Sequence, residues 1–340
     1  MAASKRVGYA VVGLGHIAEH AVLPAFRHSK RSKLVAVASS DTAKARRLAA
    51  KFHADEYYTY AALDQCLRNP EVEAVYVATN NSTHMEFTLL AAAAGKHVLC
   101  EKPLANTVEE CQRMVDTCRK SHVKLMTAYR KYFEPACIEL KKLIASGKLG
   151  RLKIIHTAFT INLDPHNTWH LSQRLAGGGS LVDLGVYCVS TVRWLTGLEP
   201  VEARAHSWTV DPTRFSEVDE STSFQLKFPD GLYIQGSSSF GAALASFLQI
   251  YGEKGWAALD PAYAYDDERR MFGEIGGQRF QKRFKRIDEF QLEVDHLSEC
   301  IRANRIPLPD GLAGLRDMAV MHAIYQAAQR NEPVPIHLPE

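Results

Sequence analysis

The stretch Val7-Gly-Tyr-Ala-Val-Val-Gly-Leu-Gly-His-Ile-Ala18 decides the fold. Val7–Val12 is an apolar run of strand length that breaks into a glycine turn and then into a helix-like segment. A second apolar run, over 33–38, begins roughly twenty residues after the turn, the spacing of a βαβ dinucleotide-binding unit. In such a unit Gly13 permits the tight turn, Gly15 lets the backbone approach a pyrophosphate, and the small Ala18 lets the helix pack on the strand. The helix N-terminus, at His16 and Ile17, presents free N–H groups and the positive end of its dipole to the phosphates. A plain strand–turn–helix connection is the alternative, and the flanking strands argue for the cofactor.

The alternation continues outward. Residues 72–78 read as a buried strand ending in the polar turn Thr79-Asn80-Asn81-Ser82-Thr83-His84. Residues 85–94 read as a helix closed by Gly95. His97-Val-Leu-Cys100 is a strand ending at Glu101-Lys102-Pro103, and Leu125-Met-Thr-Ala128 is the next. Strands alternating with helices make a parallel sheet covered on both faces, and ligands bind beyond the carboxyl ends of its strands. Three polar clusters therefore converge: 79–84, 101–103 and 129–130. Thr79, Asn80, Asn81, His84, Glu101, Lys102 and Arg130 are the candidate cofactor contacts among them, with Arg130 directed at a phosphate or a nicotinamide carboxamide. A structural, hydrogen-bonding histidine is the alternative for His84.

The end of the second strand selects the nucleotide. An acid there would bond the ribose 2′-OH of NAD. This chain has Ser39-Ser40-Asp41, followed by Lys44, Arg46 and Arg47. Hydroxyls beside basic groups suit a 2′-phosphate, so NADP is expected, with Ser39, Ser40 and Lys44 as contacts. Asp41 argues the other way, because one residue of slip would bring its carboxylate to the ribose.

At 340 residues the chain exceeds what one core usually supports, so two domains are expected: 1–128 for the nucleotide and 129–340 for substrate and oligomerisation. Hydrophobic residues are 46% and charged residues 23%, which excludes a disordered chain. A net charge of +3 gives no footprint for nucleic acid. The seven cysteines are odd in number and form no CxxC pair, so neither a disulfide framework nor a metal site is expected. No apolar run reaches about 18 residues, so no membrane span is expected. Residues 1–6 are polar and lead straight into the first strand, and a cytoplasmic location is the expectation.

The second half changes style. Residues 151–162 and 221–228 alternate in polarity, and 232–240 and 247–251 continue the pattern around Pro229-Asp230-Gly231. This predicts an antiparallel sheet with one face on helices and one free. The basic run 279–286, interleaved with Phe280 and Phe284, reads as a solvated sheet edge, and 312–330 as a core helix. Asp183 and Tyr187 stand i, i+4, which puts both on one face of a helical turn. The preceding Gly177-Gly178-Gly179 would let a loop approach a ligand. Lys102 precedes a proline that fixes its backbone, and its ammonium could meet a substrate hydroxyl.

These motifs resemble the glucose–fructose oxidoreductase / inositol dehydrogenase / rhizopine-catabolism (Gfo/Idh/MocA) family. The resemblance rests on Gly13-Leu-Gly-His-Ile-Ala18, Asn81-Ser-Thr-His84, Ala94-Gly-Lys-His-Val-Leu-Cys-Glu-Lys-Pro103 and Ala176-Gly-Gly-Gly-Ser-Leu-Val-Asp-Leu-Gly-Val-Tyr187, and it extends to residue 335. Most members carry His where Tyr187 stands. The glucose–fructose branch has Tyr, and Tyr129-Arg-Lys-Tyr-Phe-Glu-Pro135 and Ser237-Ser-Ser-Phe240 are also similar to that branch. Asn80 departs from the family, which often has Pro there.

The resemblance implies an α/β fold: an N-terminal Rossmann doubly wound parallel sheet, then an α+β domain with a large, mostly antiparallel open sheet. The free face of that sheet would pair subunits into a homodimer or homotetramer. It implies an NADP-dependent oxidoreductase that oxidises the C1 hydroxyl of an aldose to the lactone, with a second sugar reoxidising retained NADPH. Dehydrogenation of another polyol or diol with free cofactor exchange is the alternative, and a non-catalytic NADP-binding sensor is another. Lys102, Asp183 and Tyr187 would be catalytic. A phenol is a poor base at neutral pH, and a Lys102 ammonium nearby would favour its phenolate. Asp183 would orient a substrate hydroxyl. Trp169 and Tyr265 would border the cofactor, and His170 and Arg174 would bind substrate hydroxyls.

Overall fold

A computed structural model describes residues 5–166, 168–264 and 268–340. The chain forms two compact units. One joins the residues up to Arg130 to Asp288–Leu315, and the other joins Lys131–Ile287 to Arg316–Glu340.

In the first unit the apolar runs become strands because both faces of the sheet are covered. Every residue of Val7–Val12 (β1) is buried. The others are Ser32–Ser39 (β2), Glu56–Thr59 (β3), Ala74–Val77 (β4), His97–Cys100 (β5) and Leu125–Thr127 (β6). They pair in parallel in the order β3-β2-β1-β4-β5-β6. The order reverses between β1 and β4, so a crevice opens at their carboxyl ends. β3 was not foreseen, since Glu-Tyr-Tyr-Thr is short and half-exposed and carries no period. Helix Glu289–Arg302 joins this unit from far along the chain. Tyr9, inside β1, needs a partner for its hydroxyl and donates to Val294 O at 3.0 Å on that helix. The Asp295 carboxylate collects the Ser29 and Ser32 hydroxyls and the N–H groups of Lys30 and Arg31.

The second unit is built on a nine-stranded sheet. Its strands are Leu152–Asn162 (β7), Glu202–Trp208 (β8), Ser221–Lys227 (β9), Tyr233–Ser239 (β10), Gly241–Gly252 (β11), Gly255–Leu259 (β12), Arg269–Ile275 (β13), Gln278–Phe284 (β14) and Val334–Pro335 (β15). The order is β14-β13-β12-β11-β7-β10-β9-β8-β15. β7 and β10 run parallel and the other neighbours antiparallel. Alternation decides the faces: in β9 Phe224 and Leu226 are buried while Ser223, Gln225 and Lys227 face water. The basic run forms β14, the edge strand.

Helix Val186–Thr196 lies on the packed face, with Val189, Val192 and Leu195 buried. With the turns before it, Gln173–Thr196 is long and apolar enough to cross a membrane, a length that sequence reading had placed out of reach; 83% of its apolar window is buried, as in a core helix. The buried Arg193 guanidinium bonds Glu199 at 2.6 and 2.7 Å and also pairs with Asp317.

Candidate functional site

The glycine turn divides its labour. Gly13 has φ +95°, and a Cβ there would lie 2.5 Å from the Ala78 carbonyl, so both conformation and packing require glycine. A Cβ on Gly15 would meet nothing within 4 Å. The space over Gly15 is therefore open to a ligand, as a pyrophosphate needs. The helical run that follows includes a π turn at Ala18–Val22, a rare geometry frequent at functional sites.

At the end of β2 the open alternative resolves. Asp41 is the N-cap of helix Thr42–Phe52, its carboxylate accepting the Lys44 N–H at 2.9 Å. A carboxylate held against the positive helix end is committed there rather than to a ribose. Ser39 Oγ accepts the Asp41 N–H at 3.1 Å, Ser40 is exposed and Lys44 is half-buried beside them. Arg47 has another partner: it grips Glu19 with two bonds, of 3.0 and 3.2 Å, and Lys51 joins at 3.1 Å. Arg47, and then Lys51, hold the Glu19 carboxyl down to about 2.

The turns after β4 and β5 are tied to one another. Asn80 Oδ1 accepts from Ser82 Oγ at 2.9 Å and lies 3.2 Å from Thr83 Oγ1, which in turn sits 2.8 Å from Thr79 Oγ1. This accounts for Asn80, because a proline offers no side-chain acceptor to brace the turn. His84 is wholly buried, with Nδ1 3.0 Å from Pro103 O and Nε2 3.2 Å from Thr79 O. Burial pushes its pKa down to about 4, so it is neutral at pH 7. His84 thus links the two turns and positions them instead of facing a ribose. The Lys102–Pro103 peptide is cis. Behind it Glu101 is buried, accepting from Tyr76 Oη at 2.8 Å and from the Lys102 N–H at 3.3 Å, and burial raises its pKa.

Arg130 corrects the expectation of a phosphate or carboxamide contact. It is 2% exposed and its guanidinium bonds Glu289 at 2.5 Å. One helical turn on, Glu293 is fully buried, and neither carboxylate oxygen has a hydrogen-bond partner among the described residues. Burial and the neighbouring Glu101 push its pKa well up. Glu289 and Glu293 escaped sequence reading because nothing in a helical segment 160 residues away marks it as the lining of this sheet.

The second unit gathers its own cluster. Trp169 and His170 occupy one 3₁₀ turn, their ring centroids 3.7 Å apart. His170 Nε2 lies 3.8 Å from Asp183 Oδ2, and the ring meets Phe240 edge-on at 6.3 Å. Asp183 sits in a π turn, Leu181–Gly185, and Tyr187 in the first turn of helix Val186–Thr196. The turn is wider than the α-helical one expected, and both side chains still stand at the same helix start. Tyr187 is 9% exposed, edge-on to Phe159 at 5.5 Å and tilted to Tyr263 at 6.1 Å. Tyr263 Oη in turn lies 2.6 Å from Thr157 Oγ1. Arg174 is on the exposed side of the short helix Gln173–Ala176. Tyr265 lies outside the described residues.

The glycine run behaves differently from its expected part. A Cβ on Gly178 would come within 2.3 Å of Tyr325 Oη, and one on Gly179 within 2.0 Å of Asp219 O. These two glycines make room for the protein itself and not for a ligand. Asp219 and Tyr325 also went unnoticed in the sequence.

Residues 7–129 match the model of an oxidoreductase family with an NAD-binding Rossmann fold, and residues 137–258 match the GFO/IDH/MocA C-terminal domain. A D-xylose 1-dehydrogenase (NADP(+)) of Haloarcula marismortui is 30% identical over 333 residues, 96% of this chain and 92% of its own length. A trans-1,2-dihydrobenzene-1,2-diol dehydrogenase of Mus musculus is 30% identical over 280 residues, 81% of each chain. The crystal structure of an aldose-aldose oxidoreductase from Caulobacter crescentus, complexed with glycerol, superposes with a TM-score of 0.94 at 38% identity, covering 98% of this chain and 100% of that one.

Proposed function

The chain belongs to the Gfo/Idh/MocA oxidoreductase family, and from that premise we propose that it is an NADP-dependent sugar oxidoreductase that converts the C1 hydroxyl of an aldose to the lactone. The carrying observation is the second unit's cluster, where Asp183 at the helix start faces His170 of the 3₁₀ turn and Tyr187, one turn on, packs against Phe159 and Tyr263. A sugar has this double character: hydroxyls for a carboxylate and an imidazole, and a C–H face for aromatic rings.

Gly15, Ser39, Ser40 and Lys44 are the residues proposed to hold NADP, and Asp41's commitment to its cap favours that choice over NAD. Bound there, NADP would supply the hydride acceptor for the oxidation of C1. Tyr187 takes the proton of the C1 hydroxyl, Asp183 accepts from a neighbouring hydroxyl and fixes the sugar, and the Lys102 ammonium stabilises the developing negative charge on oxygen. In reverse Tyr187 returns the proton to a carbonyl oxygen. Steady-state assays of D-glucose and D-xylose with NADP⁺ and with NAD⁺, with the lactone identified, test this. Turnover of neither sugar with either nucleotide contradicts it.

A second sugar reoxidises the retained cofactor, a cycle supported by the name of the Caulobacter relative. Free exchange of cofactor, with a diol as substrate, is the rival that the mouse relative supports. A homo-oligomer through the free sheet face is also proposed, because register aligns Tyr233, Ile154, Tyr251 and Trp256 in one row there. Ile154 and Tyr233 are 42% and 43% exposed, and light scattering reads the assembly directly. All seven cysteines are buried thiols outside any disulfide, which supports a reducing, cytoplasmic setting.

A further inference from the structure

We propose that Asp219 is a positioning residue that sets the helix start carrying Asp183 and Tyr187, an inference that rests on those two side chains being the ones that handle the sugar. The first turn of a helix leaves backbone N–H groups without intrahelical partners. At the π turn Leu181–Gly185 the N-cap position belongs to Ser180, yet Ser180 makes no capping bond. Its hydroxyl points instead to Asp219 Oδ2, at 3.0 Å.

The cap comes from forty residues away. Asp219 stands just before β9, and its Oδ1 accepts the Gly179 N–H at 2.8 Å and the Tyr325 hydroxyl at 2.6 Å. Oδ2 accepts the Leu181 N–H at 3.0 Å and the Thr222 hydroxyl at 3.1 Å besides that of Ser180. The Asp219 backbone carbonyl accepts the Ser180 N–H at 3.1 Å. Three successive backbone N–H groups, of residues 179, 180 and 181, therefore end on one residue. Five donors converge on two carboxylate oxygens, which fills their capacity and fixes their direction. The negative charge also faces the positive end of the helix dipole.

The surroundings are shaped to admit this clamp. Gly179 lets the backbone lie against the Asp219 carbonyl, and Gly178 lets the Tyr325 ring lie over the run. Burial and the adjacent Asp219 push the Tyr325 pKa up, so the phenol keeps its proton and remains a donor. Asp183 lies two residues beyond Leu181, and Tyr187 six. A turn of the helix start carries both side chains with it, and a shift of about 1 Å in reacting groups costs on the order of 100-fold in rate.

The test is Asp219→Asn in the full-length protein. Its amide keeps the shape of the carboxylate, but an NH₂ then faces the Leu181 N–H, donor against donor, whereas the Ser180 and Thr222 hydroxyls can rotate. With the better of D-glucose and D-xylose, kcat falls about tenfold or more and KM rises, while the dissociation constant for NADP⁺ stays at the wild-type value. Amide exchange accelerates at residues 179–185. Tyr325→Phe and Thr222→Val each remove one donor and shift kcat the same way by a factor of about three, and they carry the test if Asp219→Asn does not fold.

Variants that melt earlier yet keep wild-type kcat and KM overturn the proposal, because a merely structural cap would do that. Tyr187→Phe runs alongside to separate two failures. If Tyr187→Phe loses turnover while the clamp variants keep it, the clamp alone is wrong. If Tyr187→Phe also keeps full turnover, the reading of the site is wrong and the clamp falls with it.

Discussion

The two units brace the turns that carry their candidate site residues in different ways. In the first, the turns after β2, β4 and β5 are braced by residues near in sequence: Asp41 caps its own helix, Asn80 holds Ser82 and Thr83, and His84 reaches to Thr79 and Pro103. In the second, the helix start that carries Asp183 and Tyr187 is held by residues 40 and more than 100 positions away. Local bracing leaves a motif in the sequence, and distant bracing does not. The contrast also separates what each unit fails at. Damage to the nucleotide contacts of the first should show in nucleotide binding, and damage to the helix start of the second in turnover.

The largest effect that tests this division is on chemistry. Tyr187→Phe should lower kcat by about 10²–10⁴, the usual worth of a placed acid/base group, and leave NADP⁺ affinity unchanged. A parallel loss of nucleotide affinity would break the division. Next in size are the buried ion pairs, one in each unit. Asp317→Ala takes from the Arg193 guanidinium its wholly buried partner and leaves the more exposed Glu199, and Glu289→Ala takes from Arg130 the carboxylate 2.5 Å away; each should cost about 3 kcal/mol in denaturant unfolding. Losses under about 1 kcal/mol would mean that neither charge is as enclosed as the geometry places it.

Acid should act on the first unit through His84. The fold keeps this imidazole neutral, with a pKa near about 4 against the ordinary 6.5, so the unfolded chain binds the proton more readily. Its contribution is complete above pH 6.5 and is lost as pH falls from 6.5 towards 4, amounting to about 3 kcal/mol at most. His97, pushed down to about 4 by burial, adds in the same direction. Amide exchange in β4 and β5 at pH 7.5 and pH 4.5 reads this, and the difference should shrink in His84→Gln. The smallest effect expected is on cofactor choice. Lys44→Ala should weaken NADP⁺ by about tenfold and leave NAD⁺ alone, since only the former carries the 2′-phosphate. Equal weakening of both would move Lys44 away from that phosphate.

Legibility followed the same line. Gly13, Gly15 and the strands over 33–38, 72–78 and 97–100 could be read because a short segment fixes each one's fate. So could the alternating strands over 151–162 and 221–228. Arg130 misled, because a basic residue at a strand end gives no sign that Glu289 will bury it from a helix much later in the chain. Gly177-Gly178-Gly179 misled for the same reason: nothing local distinguishes a glycine that admits a ligand from one that admits Tyr325. The π turn at Leu181–Gly185 was also hidden, since the spacing of Asp183 and Tyr187 reads as an ordinary α-helical turn.

The most direct test of the central claim is the near-ultraviolet spectrum of the purified protein with NADP⁺, before and after D-glucose or D-xylose. The account predicts that the absorbance band of reduced nicotinamide rises with the aldose in the wild type and stays flat in Tyr187→Phe. A wild-type protein that binds NADP⁺ and shows no band with either sugar would contradict it.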